Sequence, residues 1–243
     1  MPEQLWFTEF LNHYFGGAAN ALLHAVGIQP TYAEAPITNA VAMEILVVIL
    51  LLLFFFIVRA RLSVEKPGGL QHVAETIEEF VADQAHGVIG HGYERYVPYA
   101  VALGYFILLG NLLGLVPGFE SPTAAPVVPL GCAVLTFVYY HFHGLRTHGV
   151  RYIKQFIGPL WALSWLMLPI ELVSHFARIL SLTVRLYANM FAGDMVTLAF
   201  FSLIPVLVPT LFLGLHLMVA LVQAFIFVML TLVYLGMAVS EEH

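Results

Sequence analysis

Charged residues and cysteine are both scarce in this chain. Asp, Glu, Lys and Arg make up 10% of its 243 residues, while hydrophobic residues make up 60%. Soluble domains carry about 25% charged and 45–50% apolar residues, so the composition predicts an all-α polytopic membrane protein, with residues 1–243 forming a single membrane domain. The one cysteine, Cys132, lies in an apolar run and excludes an intrachain disulfide framework.

The sequence signals of several function classes are missing. No Gly-Lys dipeptide occurs, so a phosphate-binding loop of the usual kind is excluded, and neither His-Glu-x-x-His nor Gly-x-Ser-x-Gly is present. We therefore expect no catalysis, cofactor or metal in this chain. A net charge of −6 argues against a nucleic-acid partner. Residues 1–30 lack the basic start of a cleaved signal peptide.

Three apolar segments approach the ~20 residues that cross a bilayer: residues 37–58, 97–116 and 127–142. Basic residues set the predicted orientation, because Lys and Arg concentrate in cytoplasmic loops. Seven of the nine fall in two connections, after the first segment and after the third: Arg59, Arg61, Lys66, Arg95, Arg146, Arg151 and Lys154. Residues 1–36 are therefore expected outside, and both connections and the C-terminus in the cytoplasm.

Residues 68–89 have apolar and acidic side chains at helical spacing. This pattern predicts either an amphipathic helix on the cytoplasmic surface or an ordinary soluble helical loop. Three histidines at and beyond the end of the third apolar segment have no nearby paired carboxylate or cysteine. We interpret them as solvated loop residues rather than a metal site: His141, His143 and His148.

The last apolar region is too long for perpendicular spans. Residues 165–203 would extend ~58 Å as one helix and residues 207–240 ~51 Å. Either the region forms four short spans, or it forms two long, steeply tilted helices. Turns at bilayer depth would expose backbone polar groups to lipid, so we favour a tilted hairpin of residues 160–203 and 207–240. Pro205 and Pro209 mark its break, and Pro169 is expected to end or kink its first helix.

Only four formally charged residues lie between residues 155 and 240, and one of them, Arg185, is central. A charge at bilayer depth costs ~2.5–3.5 kcal/mol on insertion scales and commonly marks an ion pathway. On a helical wheel, seven polar residues fit an arc of ~120°: Glu171, Ser174, His175, Arg178, Ser181, Arg185 and Asn189. Asn and Ser side chains in such helices also serve as interhelical packing contacts, and this alternative stays open for Ser174, Ser181 and Asn189.

A second polar line lies on the last predicted helix. His216, Gln223 and Tyr234 share one face within ~20°. Asp194 falls off the first stripe and lies near the hairpin turn, so we expect it beside His216. A carboxylate and an imidazole at this place can pass protons. Taken alone, His216 is equally compatible with a buried core histidine and Gln223 with a packing amide.

Two motifs carry a resemblance to a known family. The first runs from Ser181 to Asp194 and contains Arg185 and Asn189; the second starts at Ala224 and ends in Ser-Glu-Glu-His at the C-terminus, with His216 seven residues before Gln223. Over its whole length the chain resembles subunit a of the F-type ATP synthase, the stationary proton-channel subunit of the membrane sector.

The resemblance implies a role for each polar residue. Arg185 matches the stator arginine that faces the carboxylates of the rotating c-ring. Asn189, Asp194, His216 and Gln223 match an outer half-channel. Glu171, Ser174 and His175 match an inner half-channel, with Arg178, Ser181 and Tyr234 in support. The implied partners are the c-ring, the peripheral-stalk b subunits, the remaining synthase subunits and the lipid bilayer, and the implied location is the bacterial plasma (inner) membrane.

Two other function classes fit the sequence less well. A secondary transporter with a midplane charged site would show two similar halves with broken helices, whereas the segments before residue 143 and after residue 155 are unlike. An intramembrane hydrolase would need a nucleophile–base set or a metal motif. The transporter is kept as the alternative.

Overall fold

The computed structural model describes residues 4–25, 27, 29, 35–116, 118–149, 152, 164–203 and 207–239. Across these residues the secondary structure is helical, without β-strands, which confirms the predicted all-α class. Four helices are long and apolar enough to cross a membrane, and a fifth, shorter helix is also apolar. The protein is an all-α polytopic membrane protein.

The first helix, α1 (Trp6–Ala25), lies in the segment for which the sequence predicted no element. Asn12 ties it to the next helix: its amide donates to the carbonyl of Ile37 and accepts from the Ile37 N–H, both at 3.0 Å. Helix α2 (Asn39–Ala60) begins immediately afterwards, with Thr38 as its N-cap. The apolar run of α2 is nearly all Leu, Ile, Val and Phe, so it satisfies the length and composition of a membrane span.

Helix α3 (Gly69–Ile89) occupies the segment predicted to be amphipathic. It packs against α4 (Val97–Leu113) and the last helix through a small buried cluster that includes Val81, Ala85 and Ala100. The turn after α4 contains a short 3₁₀ helix, Pro122–Ala124.

Helix α5 (Val127–His148) extends six residues beyond the predicted third span. Our interpretation of His141, His143 and His148 as solvated loop residues is therefore wrong. All three lie on α5 and are partly buried, His141 against the Phe137 ring at 4.2 Å and His143 against the Tyr96 ring at 5.0 Å, while the His148 Nε2 is buried. Continued helical hydrogen bonding keeps the backbone satisfied past residue 142, which allows the helix to carry these rings inward.

The last two helices, α6 (Ser164–Leu203) and α7 (Leu207–Val239), are long and pack against each other. Two long helices are observed here rather than four short ones. Helix α6 continues through Pro169, so this proline does not end it. The predicted break at Pro205 and the predicted ends at residues 160 and 240 lie outside the described residues. Pro209 lies in the first turn of α7, where a proline is tolerated, so it does not itself interrupt a helix.

The bundle has two chemically different ends. At one end, which we call the basic end, α2 and α5 finish and α4 begins, so Arg59, Arg95 and Arg146 lie there. At the opposite end, the Glu120 end, α4 finishes and α5 begins around the connecting residues 114–126. Between them, α4, α5, α6 and α7 share a buried apolar core that includes Ile107, Leu186 and Phe227.

Candidate ion-conducting site

Arg185 lies on α6 and is partly exposed at the surface of the bundle. Its Nη2 donates to Ser181 Oγ, one turn earlier, at 3.3 Å. In the described part of the chain, the close acid–base pairs both involve histidine, and none involves Arg185. A permanent cation in an apolar helix needs a counter-charge or water. Arg185 is thus positioned to receive a carboxylate from outside the described chain.

Asn189 and Gln223 connect α6 to α7 one turn beyond Arg185. The Asn189 amide Nδ2 donates to Gln223 Oε1 at 2.9 Å. Asn189 is exposed, whereas Gln223 is 3% exposed. Gln223 Nε2 is buried and has no hydrogen-bond partner among the described residues. Buried polar atoms are normally paired, so this amide can still donate to water or to a proton carrier.

Asp194 and His216 meet across the two long helices, as predicted. His216 Nδ1 lies 3.7 Å from Asp194 Oδ1, and the His216 side chain is almost fully buried. The close approach depends on Gly193, because a Cβ at this glycine would stand 3.0 Å from His216 Nδ1. On its other side, the imidazole Nε2 has no partner among the described residues. The pair therefore combines two proton-binding groups with one free ring nitrogen.

A cavity of about 780 Å³ opens beside this pair at the Glu120 end. It lies between the connection that follows α4 and the facing turns of α6 and α7. Its polar lining gives water a hydrogen-bonded surface and consists of Glu120, Ser121, Asp194, Thr197, Thr210 and His216. The cavity joins the Asp194–His216 pair to this end of the bundle.

A buried hydrogen-bond network holds the wall of the cavity. Thr123 Oγ1 donates to Asn111 Oδ1 at 2.6 Å and bonds the Ser121 hydroxyl at 2.7 Å. The Asn111 amide in turn donates to the Ala220 carbonyl on α7 at 3.2 Å. Because Asn111 and Thr123 are fully buried, these bonds are made without competition from water. The network fixes the connecting loop against α4 and α7.

A second polar cluster lies toward the basic end. Glu171 Oε1 approaches His175 Nε2 at 3.3 Å, and His175 Nδ1 hydrogen-bonds the Tyr140 hydroxyl at 2.9 Å. Beside them, His141 Nδ1 bonds the Tyr152 hydroxyl at 2.7 Å. We call these five residues the basic-end cluster. It unites Glu171 and His175, which the sequence predicted as site residues, with His141, which it did not assign to the site, and with Tyr140 and Tyr152.

The remaining predicted residues lie around this cluster. The Arg178 guanidinium carbon is 5.1 Å from the centre of the Tyr234 ring, within cation–π distance. Tyr234 in turn contacts the Tyr140 ring, with centroids 6.0 Å apart. Ser174 is partly buried on α6, adjacent to His175. Arg178 thus has an aromatic partner on α7.

Arg185 lies between the two polar clusters along α6. It follows Glu171 by fourteen residues, ~21 Å at 1.5 Å per residue, and precedes Asp194 by nine, ~13 Å on the same rise. The Asp194–His216 pair reaches one end of the bundle through the cavity, and the basic-end cluster lies toward the other.

Sequence reasoning missed several members of the site: Gly193, Glu120, Tyr140, His141 and Tyr152. Glu120 and Tyr152 belong to connections, whose approach to distant helices has no sequence period. The run Tyr139–His141 at the end of an apolar segment was a usable signal, because three proton-capable side chains there are unusual in hydrocarbon. Within the described residues, no group of three or more His, Cys, Asp or Glu side chains has a metal-binding arrangement.

Comparison with known proteins identifies the family. The sequence profile of the ATP synthase A chain family matches residues 41–236. The chain belongs to this family. It is 57% identical over 244 residues to the ATP synthase subunit a of Koribacter versatilis (strain Ellin345), covering all of both chains. It is 47% identical over 233 residues to that of Solibacter usitatus (strain Ellin6076), covering 96% of this chain and 99% of the relative.

Membership of the family settles the general function. The chain is a proton-translocating subunit of the ATP synthase membrane sector, and it is a channel subunit rather than a catalytic one. It works within the ATP synthase complex. The resemblance recognised from the Arg185 motif is thereby confirmed.

Proposed function

We propose that the two polar clusters contain two offset half-channels that lead protons to and from the carboxylates of a c-ring, with Arg185 separating them. The observation that carries this proposal is the position of Arg185 between the clusters, partly exposed and without a carboxylate partner among the described residues. A passing ring carboxylate would supply the missing counter-charge.

The outer half-channel starts in the cavity at the Glu120 end. A proton enters through the water-accessible lining, reaches the Asp194–His216 pair, and continues toward Asn189 and Gln223. Asp194 accepts protons as a carboxylate, and the unpartnered His216 Nε2 offers the next acceptor position. The proton then neutralises a ring carboxylate, which can turn through lipid because it carries no charge.

The inner half-channel consists of Glu171 and His175 of the basic-end cluster, together with Ser174. A ring carboxyl that returns to α6 from the other side meets this cluster and releases its proton toward Glu171 and His175. Arg185 then favours the ionised carboxylate, since an opposite charge within a few ångströms stabilises the charged form. Its permanent charge also repels protons that would pass directly between the half-channels.

The surface around Arg185 suits such a ring. The helical rows beside it expose Leu180, Val184 and Ala188 on one side and Ser181 and Asn189 along its own row. An apolar surface with one cation accepts an apolar rotor that carries one carboxylate per step. The other partners that we assign are the peripheral-stalk b subunits and the remaining synthase subunits.

For location, we propose the bacterial plasma membrane, with the basic end in the cytoplasm. The basic residues in the connections lie at this end, in agreement with the positive-inside rule: Arg59, Arg61, Lys66, Arg95 and Arg146. The N-terminus is then outside and the C-terminus cytoplasmic. Each proton that moves inward across the membrane releases ~2.3 kcal/mol of free energy per 100 mV of membrane potential.

Aqueous access from opposite sides tests the two half-channels. Single cysteines would replace Asp194, Ser174 or Val184 in a Cys132→Ala background, within the assembled complex in oriented vesicles. We expect a membrane-impermeant, water-soluble thiol reagent to reach position 194 only from the outer side and position 174 only from the cytoplasmic side. Position 184, on the apolar surface, is the control and should react from neither.

The competing transporter hypothesis predicts a different pattern. A midplane substrate site with alternating access would expose positions 174 and 194 to the same side in each conformation. Reaction of both positions from one side, with position 184 still protected, would therefore contradict offset half-channels.

A further inference from the structure

His141 and Tyr152 form a hydrogen-bonded pair that the two half-channels do not yet use. The Tyr152 hydroxyl lies 2.7 Å from His141 Nδ1. The His141 ring also faces the His175 ring, with centroids 4.8 Å apart. His175 is the inner-channel histidine that bonds Glu171 and Tyr140. The pair thus adjoins the inner half-channel on its basic-end side.

Both groups are chemically suited to pass a proton. An imidazole has one N–H donor and one acceptor nitrogen, and a phenol both donates and accepts. The charged and titratable groups of α6 near this pair are His175 and Arg178, beside His141, and Glu171, beside Tyr152. On α5 itself the neighbours are the rings of Phe137 and Tyr140.

The chain makes room for Tyr152 in a specific way. A Cβ at Gly144 would lie 2.5 Å from Tyr152 Cε2 and 3.1 Å from the Ala238 carbonyl oxygen. Tyr152 is 6% exposed and packs in a buried cluster with Tyr96, Tyr140 and Leu235. The glycine therefore permits the phenol to lie flat against α5 with its hydroxyl at His141.

We propose that His141 and Tyr152 continue the inner half-channel beyond His175 and deliver protons to the cytoplasmic surface. This proposal rests on the proposed function of the basic-end cluster. In the tautomer with hydrogen on His141 Nδ1, a proton that leaves His175 binds Nε2. The Nδ1 hydrogen passes to the Tyr152 oxygen as the phenolic hydrogen leaves to water. One proton enters and one leaves, and the starting tautomer returns when water accepts the Nε2 hydrogen and a hydrogen rebinds at Nδ1.

Side-chain replacements that keep shape test this relay in the complete reconstituted ATP synthase. Tyr152→Phe removes only the hydroxyl, and His141→Gln keeps a hydrogen-bonding group but loses the imidazole. We expect each to lower proton flux about tenfold, less than the ~10²–10⁴ of a positioned proton-transfer group because water can partly replace it. The matched controls are Tyr139→Phe and His143→Gln, whose parent rings pack against Tyr99 and Tyr96.

Two further measurements separate a relay from a structural anchor. For a relay, imidazole added on the cytoplasmic side should restore much of the flux in His141→Ala, and Tyr152→His should retain more flux than Tyr152→Phe. Gly144→Ala should lower flux like Tyr152→Phe, whereas Gly131→Ala on the same helix, where a Cβ meets nothing within 4 Å, should not.

The outcomes distinguish failure of the His141–Tyr152 relay from failure of the inner half-channel on which it rests. Flux in Tyr152→Phe and His141→Gln equal to that of the controls, with Glu171→Gln impaired, would overturn the relay and leave the inner half-channel intact. Loss of flux that imidazole does not restore, together with reduced subunit content, would assign the pair to structure. Normal flux in Glu171→Gln would instead overturn the inner half-channel itself.

Discussion

The imidazole of His216 lies directly against Gly193: a Cβ built on this glycine would be 3.0 Å from both Nδ1 and Cε1 of the ring. Gly193 immediately precedes Asp194, the carboxylate that His216 Nδ1 approaches at 3.7 Å. The absence of a side chain at residue 193 therefore sets the distance between α6 and α7 at the point where two proton-binding groups meet.

Gly193→Ala tests this dependence. We expect the new methyl group to push the His216 ring away from Asp194 and to lower proton flux several-fold in reconstituted complexes, without loss of assembly. Gly214→Ala on α7 is the matched control, since a Cβ there meets nothing within 4 Å. Equal flux in the two variants would show that the close approach is not needed for conduction.

His216→Ala tests the same pair from the other helix. We expect slower proton entry with normal subunit content, because Asp194 remains but its partner acceptor is lost. The measurement is proton uptake by vesicles under an imposed potential. Proton flux equal to that of the wild type would show that His216 is not part of the outer half-channel.

Arg185→Lys distinguishes a gate from a packing residue. Lysine keeps the charge, so a packing role predicts near-normal function, whereas a gate should fail. A lysine ammonium can lose its proton when desolvated, and it lacks the planar fork that reaches a passing carboxylate. We expect an assembled complex without ATP synthesis, and passive proton leakage in Arg185→Ala.

The corresponding control is Arg59→Lys, an exposed arginine at the basic end, which should leave synthesis unchanged. ATP synthesis and proton leakage would be measured in the same vesicles, with subunit content determined by gel. Coupled synthesis by Arg185→Lys at the control rate would end the gate hypothesis.

Thr123→Val tests the network that holds the wall of the cavity. Valine has nearly the same shape but leaves Asn111 Oδ1 buried without its donor at 2.6 Å. An unsatisfied buried acceptor costs about 1–3 kcal/mol, so we expect a lower thermal unfolding midpoint for the purified complex. Thr147→Val, at an exposed position near the end of α5, is the control and should leave the midpoint unchanged. Equal unfolding midpoints for Thr123→Val and Thr147→Val would contradict the stabilising role of the network.

Thiol labelling tests the orientation. In a Cys132→Ala background, a cysteine at position 148 should react slowly with an impermeant maleimide in intact cells, because the basic end is expected in the cytoplasm. A cysteine at position 127, exposed at the Glu120 end, should react rapidly. Fast external labelling at position 148 would reverse the proposed topology.

Composition and helical spacing were enough to predict the class of the protein, the two long last helices and the importance of the central arginine. These features can be predicted because charged side chains and unpaired backbone groups are costly in the hydrocarbon of a membrane. A helical period also placed Asp194 off the stripe of Arg185, and the hairpin then predicted its contact with His216. These inferences needed only local geometry and one reversal of the chain.

Which other distant side chains meet could not be predicted, because it depends on how the helices and their connections pack. Three features join a connection to a helix: the Tyr152–His141 bond, the Glu120 lining of the cavity and the Thr123–Asn111 network. The position of a connection cannot be predicted from a hydrophobic period, because connections have none. The extension of α5 to His148 likewise turned expected loop histidines into partly buried ones. Packing against neighbouring helices places these groups, and packing is a property of the whole bundle.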